Sequence, residues 1–96
     1  MSDVINAAVK ALNEKMGKDG FDGTAKFVIE GEGSIVIDSD GARAADEQAD
    51  VTLNADADTF ESILQGDLDP TAAFMSGRLS VDGDMALAMK LGSVLA

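Results

Sequence analysis

Of the side chains that carry proton transfer or covalent chemistry in enzymes, this sequence keeps only carboxylates, lysines, arginines and hydroxyls, because it contains no His, Cys, Tyr or Trp. Nucleophilic catalysis of the Ser-His or Cys-His type therefore has no base or no nucleophile. Carboxylates alone can hydrolyse glycosides when two of them flank a bond at a defined separation. Here the Asp and Glu residues fall in turns, helix caps and polar strand faces, so a carboxylate-dependent hydrolase is the weakest reading and no catalytic residue is assigned. Two other patterns also fall away. Gly31-Glu32-Gly33 begins like a dinucleotide-binding loop, but the third glycine is missing and a strand follows. Asp38-Ser39-Asp40-Gly41 begins like a calcium loop without the later ligands or the closing glutamate. Neither a cofactor nor a metal is expected.

The chemistry that remains is apolar binding, and it concentrates near the C-terminus. Residues 84–95 begin with Asp84 as a cap, carry Met85, Leu87, Ala88, Met89, Leu91, Val94 and Leu95, and include Lys90 as the one charge beyond the cap. A helix apolar on nearly all sides must be buried on nearly all sides, and 96 residues provide little interior to enclose one. Leu87 and Leu91 share one stripe with Val94 or Leu95; Met85, Met89 and the neighbouring Ala88 form another. One stripe suits a sheet and the other a pocket. Met75, Met85 and Met89 lie within fifteen positions, and the flexible, polarizable methionine side chain suits a surface that adapts to varied apolar ligands.

The elements that must position this helix follow from periodicity. Val4, Ile5, Ala8, Leu12 and Met16 recur at helical spacing after Ser2 or Asp3 as cap, and a loop runs from Lys18 to Gly23. Alternation over Ala25, Phe27 and Ile29 and again over Ile35 and Ile37 gives two strands joined by a glycine-bearing hairpin. Asp40-Gly41 makes the next turn into a weak edge strand over Ala42 to Asp46, and Val51, Leu53 and Ala55 mark a fourth strand. Asp58 with Glu61 resembles a capping box for a helix carrying Phe60, Ile63 and Leu64. Asp69-Pro70 opens a short helix through Phe74 and Met75, and Leu79 and Val81 form a last strand before the apolar helix.

Composition narrows the partners. Hydrophobic residues make up 46% of the chain and charged residues 26%, which fits a folded domain over residues 1–96. The net charge of −11 repels phosphate backbones and anionic headgroups, so nucleic acid is excluded as a partner and membrane contact is expected to be at most transient. No stretch approaches the ~20 apolar residues of a membrane-spanning helix, and Ser93-Val94-Leu95-Ala96 is not a peroxisomal address. A monomer residing in the cytoplasm is the expectation.

The run from Gly66 through Asp69-Pro70-Thr71-Ala72-Ala73-Phe74-Met75-Ser76-Gly77-Arg78-Leu79-Ser80-Val81-Asp82-Gly83-Asp84-Met85 to Leu91 strongly resembles the sterol carrier protein type 2 family, in a stand-alone, bacterial-type form. The resemblance covers this quarter of the chain closely and the rest more loosely. It implies an α+β fold, a five-stranded, mostly antiparallel sheet covered by helices around a hydrophobic cavity. It also implies non-catalytic binding and transfer of fatty acid, fatty acyl-CoA, sterol-like or phospholipid ligands. By position, Phe74, Met75, Met85, Leu87, Ala88, Met89 and Leu91 are its candidate ligand-binding residues, with Phe27, Ile29, Ile35 and Ile37 as sheet-side walls and Gly66, Pro70, Gly77 and Gly83 as shape-setting turns. A second function consistent with the resemblance is an accessory subunit that presents a lipid or isoprenoid intermediate to an enzyme of lipid metabolism.

Overall fold

The computed structural model describes residues 3–17 and 20–95, apart from the Leu95 side chain. The Ser2 alternative for the first cap, Lys18 at the start of the first loop, the Leu95 part of the apolar stripe and the terminal Ala96 lie outside the described residues. In chain order the elements are α1 (Asp3–Met16), β1 (Ala25–Ile29), β2 (Gly33–Asp38), β3 (Gly41–Ala44), β4 (Val51–Ala55), α2 (Ala57–Leu64), α3 (Pro70–Met75), β5 (Leu79–Gly83) and α4 (Met85–Leu95).

The strands form one sheet in the order β3-β2-β1-β4-β5, antiparallel except where β1 runs parallel to β4. Period-2 alternation puts Ala25, Phe27 and Ile29 on the same face as Val51, Leu53 and Ala55, their register partners in β4. Ile35 and Ile37 join that face opposite Phe27 and Ala25. The helices cover it, and Phe27 and Phe60 meet at its centre with ring centroids 4.5 Å apart. Leu12, Ile63 and Leu91, all fully buried, complete the core from α1, α2 and α4.

A parallel β1/β4 pair requires a crossover, and the chain makes it with residues 45–50 on the face away from the helices. Lys26, alternating outward from Phe27, reaches Asp46 at 3.0 Å, and Asp50 N–H donates to Thr24 O. Val36 is fully buried although it points away from the main core, on this outer face between its register partners Lys26 and Arg43. Alongside it, Arg43 donates to Asp38 and Glu47, each at 2.7 Å. The hydrogen bond from Arg43 holds the Asp38 carboxyl below the usual range.

The edge strand β3 is closed by a side chain. Asn13 of α1 accepts from Ala42 N–H at 2.8 Å and donates to Ala42 O at 3.1 Å, imitating the strand that is missing there. Nothing in the sequence marks Asn13 for this. The start of α2 also differs from expectation: Asp56, not Asp58, is the cap, accepting from Thr59 N–H at 2.7 Å. That bond holds the Asp56 carboxyl below its usual value. Either aspartate stands before the apolar stripe, and only the extended backbone at position 56 decides between them.

Asp69 caps α3 with proline at its first turn. Asp84 caps α4, accepting from Ala86 N–H at 2.9 Å and more weakly from Leu87 N–H at 3.4 Å. Because Asp84 is exposed, Asp84→Ala removes these bonds and little packing. Thermal unfolding should show a loss of ~1 kcal/mol, or ~4–8 °C in a domain of this size. An unchanged melting temperature would show that the cap contributes nothing.

Candidate functional site

The segment from Asp69 to Ser93 folds back on itself. After α3, the chain turns through Gly77, crosses the sheet edge as β5 and returns as α4. Register pairs Leu79 with Ala55 and Val81 with Leu53, so the apolar side chains of β5 extend the core face beyond β4. Gly92 of α4 passes Pro70 closely enough that a Cβ there would lie 3.7 Å from the proline ring. The start of α3 therefore meets the end of α4, and Phe74 and Met75 line the same concavity as Met85 and Met89.

Between the two helices lies a groove of about 490 Å³, within the ~300–1,000 Å³ of small-molecule sites. Leu53, Leu79 and Val81 make its floor; Pro70, Phe74 and Met75 make one wall; Met85, Ala88, Met89 and Gly92 make the other. Its polar lining residues are Asp69 and Thr71, which flank Pro70, and Ser93, which follows Gly92, so they fall at the end where α3 starts and α4 finishes. Among the described residues the exposed large hydrophobics are Phe74, Met75, Met85 and Met89, at 42, 80, 46 and 73% exposure, and all four line this groove. Single exposed apolar residues are ordinary; four converging on one concavity mark a binding surface.

Of the residues singled out in the sequence, the structure brings Phe74, Met75, Met85, Ala88 and Met89 together here. It places the others elsewhere. Phe27, Ile29, Ile35 and Ile37 are at most 1% exposed and do not reach the groove. They share the core face, but β1 and β2 lie farther from the β5 edge, and alternation identifies a face without identifying what covers it. Leu91 is fully buried in the core, and Leu87 turns toward Gly23. Leu53, Asp69, Pro70, Thr71, Leu79, Val81, Gly92 and Ser93 also line the groove, although none of them is a ligand-binding candidate on sequence. Their signal was the pairing of α3 with α4, which is set by tertiary contact.

Two of the polar side chains at the groove end, Asp69 and Ser93, are already engaged. Asp69 Oδ1 accepts from Thr71 N–H at 3.0 Å, and Ser93 Oγ donates to Met89 O at 3.3 Å. Among the described residues no cluster of His, Cys, Asp or Glu could hold a metal ion. A second recess of about 300 Å³ lies between α1 and α2, lined by Ala7, Ala11, Phe60 and Leu64 among others. Of the four exposed large hydrophobics, it contains none.

Residues 5–96 match the family model of the SCP-2 sterol transfer family. The chain is similar to the human Hydroxysteroid dehydrogenase-like protein 2, with 38% identity over 97 residues, covering 99% of this chain and 22% of that protein. It thus spans about a fifth of the length of such curated relatives. Among solved structures, it resembles Sterol Carrier Protein-2 from Aedes aegypti in complex with palmitate, with a TM-score of 0.78, 21% identity, and coverage of 100% of this chain and 97% of that one. It also resembles a UbiJ-SCP2 ubiquinone synthesis protein, with a TM-score of 0.58 and 20% identity over 98% of this chain and 79% of that one.

Proposed function

The chain belongs to the SCP-2 sterol transfer family, and from that premise we propose that it binds a lipid in the groove between α3 and α4 and transfers it without covalent chemistry. The observation that carries this reading is the convergence of Phe74, Met75, Met85 and Met89 on one open concavity. Apolar surface leaving water contributes ~25 cal/mol per Å², so an alkyl chain laid against these residues gains several kcal/mol without any catalytic group. Selectivity for chain length is weak, since one methylene contributes only ~0.8 kcal/mol. Fatty acids, acyl-CoA, sterol-like molecules and phospholipids all belong to the class considered.

Native mass spectrometry of freshly purified protein tests the reading: retained lipid supports it, and failure to take up any added lipid would overturn it. Footprinting locates the ligand. Under limited peroxide treatment, Met75 and Met89 should oxidise first and Met85 next, and Met16, 8% exposed in the core, should oxidise last. Bound lipid should slow the first three and leave Met16 unchanged. Equal protection of all four would place the ligand elsewhere.

A second reading is favoured by the relatives. One structural neighbour is a ubiquinone synthesis protein, and the curated relatives are longer proteins named as dehydrogenase-like. In this reading the domain presents its lipid to an enzyme, and co-purification with that enzyme is the test. Function as a monomer, cytoplasmic residence and transient membrane contact belong to the proposal as well. No helix among the described residues is long and apolar enough to cross a membrane.

A further inference from the structure

The two ends of the groove differ in polarity, and the polar end carries a carboxylate and two hydroxyls without a cation among the described residues. Among the described residues, Asp69 is the one ionisable residue that lines the groove, and no lysine or arginine does so. The last turn of α4 brings its carbonyl ends to the same place, at Gly92 and Ser93, and the C-terminus of a helix is the negative pole of its dipole. The positive pole of α3 is already met by Asp69 itself, whose carboxylate accepts from Thr71 N–H. Of the nearest cations in sequence, Lys90 pairs with Asp22 at 3.7 Å, and Arg78 does not line the groove. The net charge of −11 adds long-range repulsion of anions.

From this arrangement we infer that the groove selects amphiphiles with an uncharged, hydrogen-bond-donating head, such as long-chain or sterol-like alcohols, over those ending in carboxylate or phosphate. Asp69 is the specificity-determining residue. The inference rests on the proposed lipid-binding function and narrows its ligand class. The tail lies along Phe74, Met75, Met85 and Met89. The head lies at the Asp69 end, where a hydroxyl donates to a carboxylate oxygen or a helix-terminal carbonyl. A fatty acid placed the same way would set its carboxylate beside Asp69 and the α4 carbonyls with no counter-charge. Reversed, it would set its charged head against methionines, which offer it no hydrogen-bond donor or counter-charge.

The test is displacement of a neutral solvatochromic dye by hexadecan-1-ol and by palmitate, which share chain length, at low salt and well above the carboxylate pKa range. The alcohol should act at a concentration about tenfold or more below that of palmitate, and added salt should narrow the gap. Asp69→Asn keeps a capping side chain while removing the charge, so palmitate should gain severalfold and the alcohol should change little. Ser93→Lys, on the exposed last turn of α4, supplies a cation at the same end without touching the cap and should also strengthen palmitate. Palmitate equal to or better than the alcohol in the unmodified protein overturns the inference. So does indifference of palmitate to both substitutions. If the dye binds but neither amphiphile displaces it, or if no dye binds, the lipid-binding reading itself fails and this inference fails with it.

Discussion

A protein carrying Met85→Gln together with Met89→Gln is expected to melt like the unmodified chain while binding apolar ligands roughly 30- to 1,000-fold more weakly. Both methionines are partly exposed, at 46 and 73%, so neither fills the core, and glutamine is as good a helix former. Surface substitutions of this kind usually change stability by less than ~0.5 kcal/mol. The effect on binding has a different origin. Fully covering a methionine side chain is worth ~1.5–3 kcal/mol. The open fractions of these two leave about 2–4 kcal/mol for a ligand to gain by covering them, and glutamine withdraws that gain because its amide must be desolvated. Glutamine also leaves the net charge at −11, so the loss cannot be assigned to electrostatics. Thermal unfolding and dye displacement on the same samples make the comparison. Unimpaired binding would remove α4 from the ligand site, and a large melting loss would show the methionines to be structural.

Whether a residue was legible in the sequence depended on whether its role was local. The α4 stripes could be separated because 3.6-residue periodicity assigns Leu87 and Leu91 to one side and Met85 and Met89 to the other, and a small domain cannot bury both. The Asp69-Pro70 and Asp84 starts were legible because caps act within three residues. Strand faces were legible too, but the lateral position of a strand was not. Phe27 and Ile35 look like Leu53 in their alternation, yet only Leu53 lies near enough to β5 to floor the groove. Asn13 and the crossover at residues 45–50 act across the fold, over separations of 29 residues for Asn13 and Ala42 and 20 for Lys26 and Asp46. Their types, an asparagine on a helix and an aspartate in a polar stretch, are common in positions that do nothing. Asp69 has the sequence signature of a cap and is one. That it also sets the sign of the groove end depends on α4 returning past it.

The turn that brings α4 back depends on Gly83, and Gly83→Ala is expected to cost ~2–4 kcal/mol and lower the melting temperature by roughly 10–30 °C. Gly83 has φ +109°, a conformation that side-chain-bearing residues rarely adopt. A Cβ there would press into the Asp50 carbonyl oxygen and lie 3.1 Å from Val51 Cα. Both are backbone atoms, and neither can swing aside. Val51 is the register partner of Gly83, and Asp50 O accepts from Asp84 N–H at 3.0 Å. Relieving the clash therefore pulls apart the β4–β5 pair and the turn into α4 together. Gly77 provides the control, because its φ of +84° carries a similar restriction but a Cβ there meets nothing within 4 Å. Gly77→Ala should lose only the conformational part, ~1–2 kcal/mol. The excess at Gly83 measures the close approach. Since Met85 begins two residues later, Gly83→Ala should also weaken ligand binding at temperatures where the protein is still folded, whereas Asp84→Ala should leave it nearly unchanged. Equal melting losses at Gly83 and Gly77 would mean that the β4–β5 junction yields easily and does not fix the groove.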